Sequence, residues 1–150
     1  MMARTFDITP ATATPFIVIS TIGIFLILLL GLFAFIGYSA RSTKFEVTDQ
    51  GLRIKGGIYG RFIPKEEIIG ENVKIIDLNA DLEYKPRIRT NGIGLPGYSE
   101  GWFKLKNNEK ALLFVTDRSN VVYIPTKQGY SVLLSVSDSE GFYQSIKLWR

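Results

Sequence analysis

The stretch WFKLKNNEKALLFVTDRSNVVYIPTKQGYSVLL, Trp102–Leu134, decides the fold. Trp102–Lys106 and Lys110–Thr116 flank Asn107-Asn108-Glu109, Val121–Ile124 follows Asp117-Arg118-Ser119-Asn120, and Tyr130–Leu134 follows Thr126-Lys127-Gln128-Gly129. Alternating short strands with polar turns at this spacing predict an antiparallel barrel or sandwich. Upstream, Phe45, Val47, Leu52 and Ile54 alternate with Lys44, Glu46, Arg53 and Lys55 on either side of Asp49-Gln50-Gly51, the pattern of a hairpin. Gly56-Gly57 breaks its second strand before Ile58–Ile63, which Pro64 ends, and Val73–Leu78 makes a further strand. About twenty residues of little periodicity follow it. Downstream, Ser137 and Glu140 form an S-x-x-E capping box, and Phe142, Ile146 and Trp149 recur at helical spacing with Tyr143 beside them. The expected domain, residues 41–150, is therefore mainly β: a barrel of about seven strands closed by a C-terminal capping helix. No strand–helix–strand unit is present, which argues against a parallel doubly wound sheet.

Ahead of this domain the chain is of another kind. Phe16–Tyr38 holds 18 apolar residues among 23, the other five are Ser, Thr or Gly, and none is charged. As a helix it would be about 34 Å long, enough to cross a hydrocarbon core. We expect a transmembrane helix over residues 16–38 after an N-terminal tail, residues 1–15, kept irregular by Pro10 and Pro15. A cleavable signal peptide fits poorly, because Arg4 is distant from the apolar run and Tyr38 stands where a small residue should precede a cut after Ala40. Arg4 alone lies before the span, whereas Arg41, Lys44, Arg53 and Lys55 follow it closely. The excess predicts a single-pass protein of the cell membrane with a cytoplasmic C-terminal domain.

Composition narrows the chemistry. The 150 residues contain no Cys and no His, so disulfides, a thiolate nucleophile, Cys-ligated zinc and imidazole bases are excluded. No Ser is followed three positions later by Lys, and no G-x-S-x-G elbow occurs. We expect a chain without catalytic residues or cofactor; an enzyme built on Tyr, Lys or carboxylates is the third alternative. Arg4 and Asp7 cancel in the tail, so the net charge of +4 lies after the span, where the basic residues are dispersed. Dispersed charge speaks against nucleic acid, which calls for clustered charge with stacking aromatics.

The order of strands followed by a helix resembles the bacterial pleckstrin-homology-like (PH-like) domain proteins, particularly small ones in which a membrane segment precedes the domain. The likeness rests on Asn91-Gly-Ile-Gly-Leu-Pro-Gly-Tyr98, Gly101-Trp-Phe-Lys-Leu-Lys106, Ala111-Leu-Leu-Phe-Val-Thr-Asp117 and Val121-Val-Tyr-Ile-Pro125. It implies a binding or assembly module rather than an enzyme. Eukaryotic relatives recognise phosphoinositides through a basic motif around the first hairpin, which Arg53-x-Lys55 echoes only loosely.

Two motifs need a choice of reading. Gly92-x-Gly94-x-x-Gly97 has the spacing of a dinucleotide fingerprint, but the run after it alternates as a strand and offers no helix N-terminus to a pyrophosphate. It reads better as a loop of tight reversals, with Lys85, Arg87 and Arg89 alternating before it so that they could share one face beside exposed backbone N–H groups. Asp77-x-Asn79-x-Asp81-x-Glu83 begins like a calcium loop, yet Leu82 and Ile88 occupy the required Gly and Glu positions, so a polar turn is expected and no metal. The candidate binding surface is thus Arg53, Lys55, Lys85, Arg87, Arg89, Gly92, Gly94 and Gly97. Its expected partners are the bilayer, through residues 16–38, and a membrane-proximal protein or another copy of the chain. The alternative is an anionic lipid surface sensed by the basic residues near the tether.

Overall fold

The computed structural model describes residues 4–10 and 12–149, with the side chains of residues 39–41 excepted. Residues 1–3 and 11 of the expected tail, residue 150 of the expected domain and the Arg41 side chain lie outside the described residues. The chain divides between Tyr38 and Ser39 into two compact units. The first is dominated by α1, which runs over Thr14–Ser42 with Pro15 in its opening turn, where a missing N–H is harmless. Its stretch Thr14–Tyr38 is long and apolar enough to cross a membrane, and no face of it is covered by protein: Ile27 and Leu30 are each 70% exposed.

The second unit contains nine strands among the described residues: β1 (Lys44–Thr48), β2 (Gly51–Lys55), β3 (Arg61–Pro64), β4 (Lys74–Ile76), β5 (Pro86–Leu95), β6 (Tyr98–Leu105), β7 (Lys110–Val115), β8 (Val121–Pro125) and β9 (Ser131–Leu134). The helix α2, Ser139–Lys147, closes it. The strands form a three-stranded sheet, β1-β2-β3, and a six-stranded one, β4-β8-β9-β7-β6-β5. The expected mainly β, PH-like architecture with a C-terminal helix is present, with two corrections. No ladder joins the sheets into a closed barrel among the described residues; the isolated bridge Ile68–Thr126 stands outside the strands. Nor is the pairing wholly antiparallel, because β9 is inserted between β7 and β8 and runs parallel to β7, with Leu112 opposite Val132 and Phe114 opposite Leu134.

That insertion follows from composition. Every residue of β8 and β9 is buried, as is all of β7 after Lys110. Strands apolar on both faces belong at the centre of a sheet covered on both sides. On one face Leu112, Phe114, Val122, Ile124, Val132 and Leu134 pack with Leu52, Ile54 and Ile63 of the small sheet and with Ile146 of α2. On the other, Phe103, Leu105, Leu113, Val121 and Leu133 pack with Leu78 and Tyr84 from the β4–β5 connection.

The first hairpin takes the expected register, Phe45 opposite Ile54 and Val47 opposite Leu52. The third strand is shorter than expected and begins at Arg61, because Gly56 and Gly57 take positive φ angles of 88° and 67° and turn the chain first. At α2 the predicted capping box is displaced by one residue. Asp138, not Ser137, is the N-cap, and its Oδ1 accepts from the Gly141 N–H at 2.9 Å. Its carboxylate satisfies one of the free amides of the first turn. The aromatic face of α2 packs as expected, with the Phe142 ring 6.5 Å from that of Phe45.

A polar cluster spans three elements inside this frame. The Tyr123 hydroxyl donates to Glu109 Oε1 at 3.0 Å, and the Ser131 hydroxyl donates to the same carboxylate. Burial, above all, pushes the Tyr123 phenol up to about 12, and the neighbouring Glu109 charge adds to it.

Two predictions follow from this packing. Leu133→Ala should cost about 3 kcal/mol in urea unfolding of the full chain in micelles, whereas Leu148→Ala, at an 84% exposed position, should change it by less than about 0.5 kcal/mol; equal effects would contradict the two-faced core. In alkaline titration at 295 nm one tyrosine should ionise only near pH 12, and Tyr123→Phe should remove that step. Because the folded pKa exceeds the unfolded value of about 10, the stability contributed by the protonated phenol is intact below pH 10 and is lost as pH rises toward 12.

Candidate functional site

The segment expected to be a glycine-rich loop is a strand pair. β5 and β6 form a hairpin at the edge of the six-stranded sheet, with Leu95 opposite Tyr98 and Pro96-Gly97 as its turn. Pro96 presets the first turn position, and Gly97 supplies the positive φ, 76°, that the second requires. Farther along, Gly92 and Gly101 face each other across the ladder. A Cβ on Gly92 would collide with the Glu100 carbonyl, and one on Gly101 would lie 2.7 Å from the Gly92 Cα. This pair is needed for close backbone approach.

β5 carries extra residues at Arg87 and at Thr90, where its register with β6 shifts. The bulge at Arg87 interrupts the alternation on which a common face for Lys85, Arg87 and Arg89 depended. Lys85 follows a short 3-10 turn, Leu82–Tyr84, and its carbonyl accepts from the Lys106 N–H at 3.0 Å. Arg87 is exposed on the bulge. Arg89 is exposed as well, and its Cδ lies 3.8 Å from where a Cβ of Gly94 would stand, with the Phe103 ring 3.4 Å from the same point.

Arg89, Gly94 and Gly97 line a cleft of about 720 Å³ together with Ser99, Phe103 and Arg118. Lys85, Arg87, Gly92, Arg53 and Lys55 are not part of it. Lys55 pairs with Glu46 at 2.6 Å, and the Arg53 guanidinium lies 5.4 Å from the centre of the Phe62 ring.

Arg118 was not anticipated from the sequence. It stands 29 positions after Arg89, in the β7–β8 turn, and only the fold brings the two together. The turn is held firmly. Asp117 Oδ1 accepts from the Ser119 N–H at 2.9 Å and hydroxyl at 2.7 Å, which holds the Asp117 pKa below its ordinary value, the hydroxyl bond contributing most. Ser135 Oγ accepts from the Asp117 N–H at 3.1 Å and donates to the Asp117 carbonyl at 2.8 Å, while the Leu78 N–H donates to the Arg118 carbonyl at 2.8 Å. An Asx-type turn signal, D-R-S-N, was legible, but not what its arginine faces.

The calcium-like segment is a turn whose carboxylates accept from its own backbone: Asp77 Oδ1 from the Asn79 N–H at 2.8 Å and Asp81 Oδ2 from the Asp77 N–H at 3.0 Å. Groups of three or more acidic side chains able to hold a metal are absent among the described residues.

The family model for bacterial PH domains matches residues 43–148, from the first strand to the last turn of α2. Neither the curated proteins nor the solved structures offer a match to the chain. A match of that extent, on a strand order ending in a packed helix, shows that the chain belongs to the bacterial PH domain family.

Proposed function

We propose that the chain is a single-pass, membrane-anchored binding or assembly module without catalytic activity, whose domain meets a membrane-proximal protein or another copy of itself on the cytoplasmic side. The observation that carries this reading is α1, a helix apolar on every side with none of its most apolar stretch buried in the protein. Each buried Å² of such surface is worth about 25 cal/mol, and a helix satisfies its own backbone, so hydrocarbon is the solvent this segment suits. Only Thr43 separates α1 from β1, which limits the partners within reach to those at the membrane.

Family membership supports a binding role. The polar cluster of the core fits catalysis poorly: a phenol raised to about 12 stays protonated at neutral pH, so it is a poor proton donor and no base, and the Glu109 carboxylate is taken up by two hydroxyls. Lipid sensing through the tether-side basic residues is weakened by the Lys55–Glu46 pair and by the stacking of Arg53 on Phe62.

Affinity capture from solubilised membranes should return a constant partner or the chain itself; repeated recovery of neither contradicts the proposal. The absence of native cysteine allows topology to be read cleanly. In intact cells an impermeant maleimide should label Thr5→Cys, and it should reach Ser137→Cys only after permeabilisation. The reverse pattern would overturn the orientation.

A further inference from the structure

We propose that the cleft between the β5–β6 hairpin and the β7–β8 turn binds a phosphoryl group, either of a free small molecule or of a lipid headgroup. This goes beyond the proposed anchoring and assembly role, which requires no small ligand.

Two guanidiniums, Arg89 and Arg118, line the cleft, and no Asp or Glu does. Among the described residues neither side chain takes part in a hydrogen bond, an ion pair or a ring contact. Like charges converging on one cavity repel unless an anion lies between them. Ser99 adds a hydroxyl: the residue is 5% exposed, lines the same cleft, and has no side-chain hydrogen bond among the described residues. Its Oγ stands at the cleft wall as a donor and acceptor that a ligand oxygen could use.

The remaining walls define what the anion is attached to. Phe103, Pro86 and Leu95 supply apolar surface beside the charges, which lowers the local dielectric and strengthens charge-assisted bonds. A volume of about 720 Å³ falls in the range of small-molecule sites and leaves room for the group that carries the phosphate. Two positive charges on one cleft match a phosphate, which carries between one and two negative charges at neutral pH, better than a carboxylate. The backbone that presents one of the two arginines is preorganised: the Arg118 turn is tied down by Ser135 and by the Leu78 N–H, while the Arg89 Cδ passes 3.8 Å from where a Cβ of Gly94 would stand. The cleft lies away from the first hairpin, β1–β2, where the lipid-binding relatives carry their basic motif, so the site is not inherited from that resemblance.

The test uses the isotope-labelled full chain in phosphatidylcholine nanodiscs. Inorganic phosphate, titrated at constant ionic strength against chloride, should shift the backbone amide signals of Gly94, Gly97 and Ser99. Arg89→Gln and Arg118→Gln should each weaken binding about tenfold, the loss of one charge-assisted bond. Arg53→Gln and Lys55→Gln, which remove the same charge elsewhere, should leave it within about twofold. Nanodiscs containing phosphatidic acid distinguish the sources: the same shifts without added phosphate assign the site to a headgroup, and shifts with phosphate alone assign it to a soluble ligand. No shift from either probe, shifts that persist in both cleft variants, or an equal loss in the Arg53 and Lys55 variants would overturn the proposal.

Discussion

The structure depends on the insertion of β9 between β7 and β8. A four-residue strand, Ser131–Leu134, with every residue buried, needs neighbours on both edges and cover on both faces. Its presence makes the six-stranded sheet two-faced, and everything else is arranged to cover it. The small sheet and α2 lie on one face, and the β4–β5 connection contributes Leu78 and Tyr84 to the other. The same insertion brings Ser131 to Tyr123 and Glu109, so a buried hydroxyl and phenol share one carboxylate. It also sets Ser135, just past β9, under the β7–β8 turn, where its hydroxyl fixes the loop that presents Arg118.

The parts of the large sheet contrast with one another. The centre of the large sheet is apolar on both sides and cooperative, whereas its β5 edge is bulged, exposed and basic. Edge strands are sites of unwanted pairing, and bulges with charged side chains blunt them. Arg87 and the register shifts of β5 serve that purpose, while Arg89 lines the cleft. One hairpin thus protects an edge and lines a cavity. The helix α1 is long and apolar enough to cross a membrane, and its exposed apolar surface accounts for much of the apolar excess of the chain.

Much of this was legible in the sequence. The β1–β2 register followed from strict alternation around Asp49-Gln50, the β6–β9 strands from apolar runs bounded by turn residues, and α2 from its aromatic spacing. β5 was missed because bulges at Arg87 and Thr90, with glycines at 92 and 94, destroy the period of two on which strand reading relies. The parallel β7–β9 pair was illegible for another reason: strand order is a non-local choice, and the same apolar runs would suit a simple meander. The capping residue slipped by one because Ser137 and Asp138 are both competent caps and backbone geometry selects between them. Of the residues that line the cleft, Arg89, Gly94 and Gly97 had been singled out by the local clustering of charge and glycine. Arg118 was not, since its partnership with Arg89 exists only across the folded sheet.

The central claim, that a two-faced sheet built around β9 holds the β7–β8 turn opposite the β5–β6 hairpin, is tested most directly by residue-resolved hydrogen exchange on the full chain in nanodiscs. Amides of Ala111–Val115, Val122–Ile124 and Val132–Leu134 should exchange slowest and together, through global unfolding, while those of β5 not bonded to β6 exchange fast. Rapid exchange in β9, comparable to the β5 edge, would mean that it is not a central strand and would contradict the account.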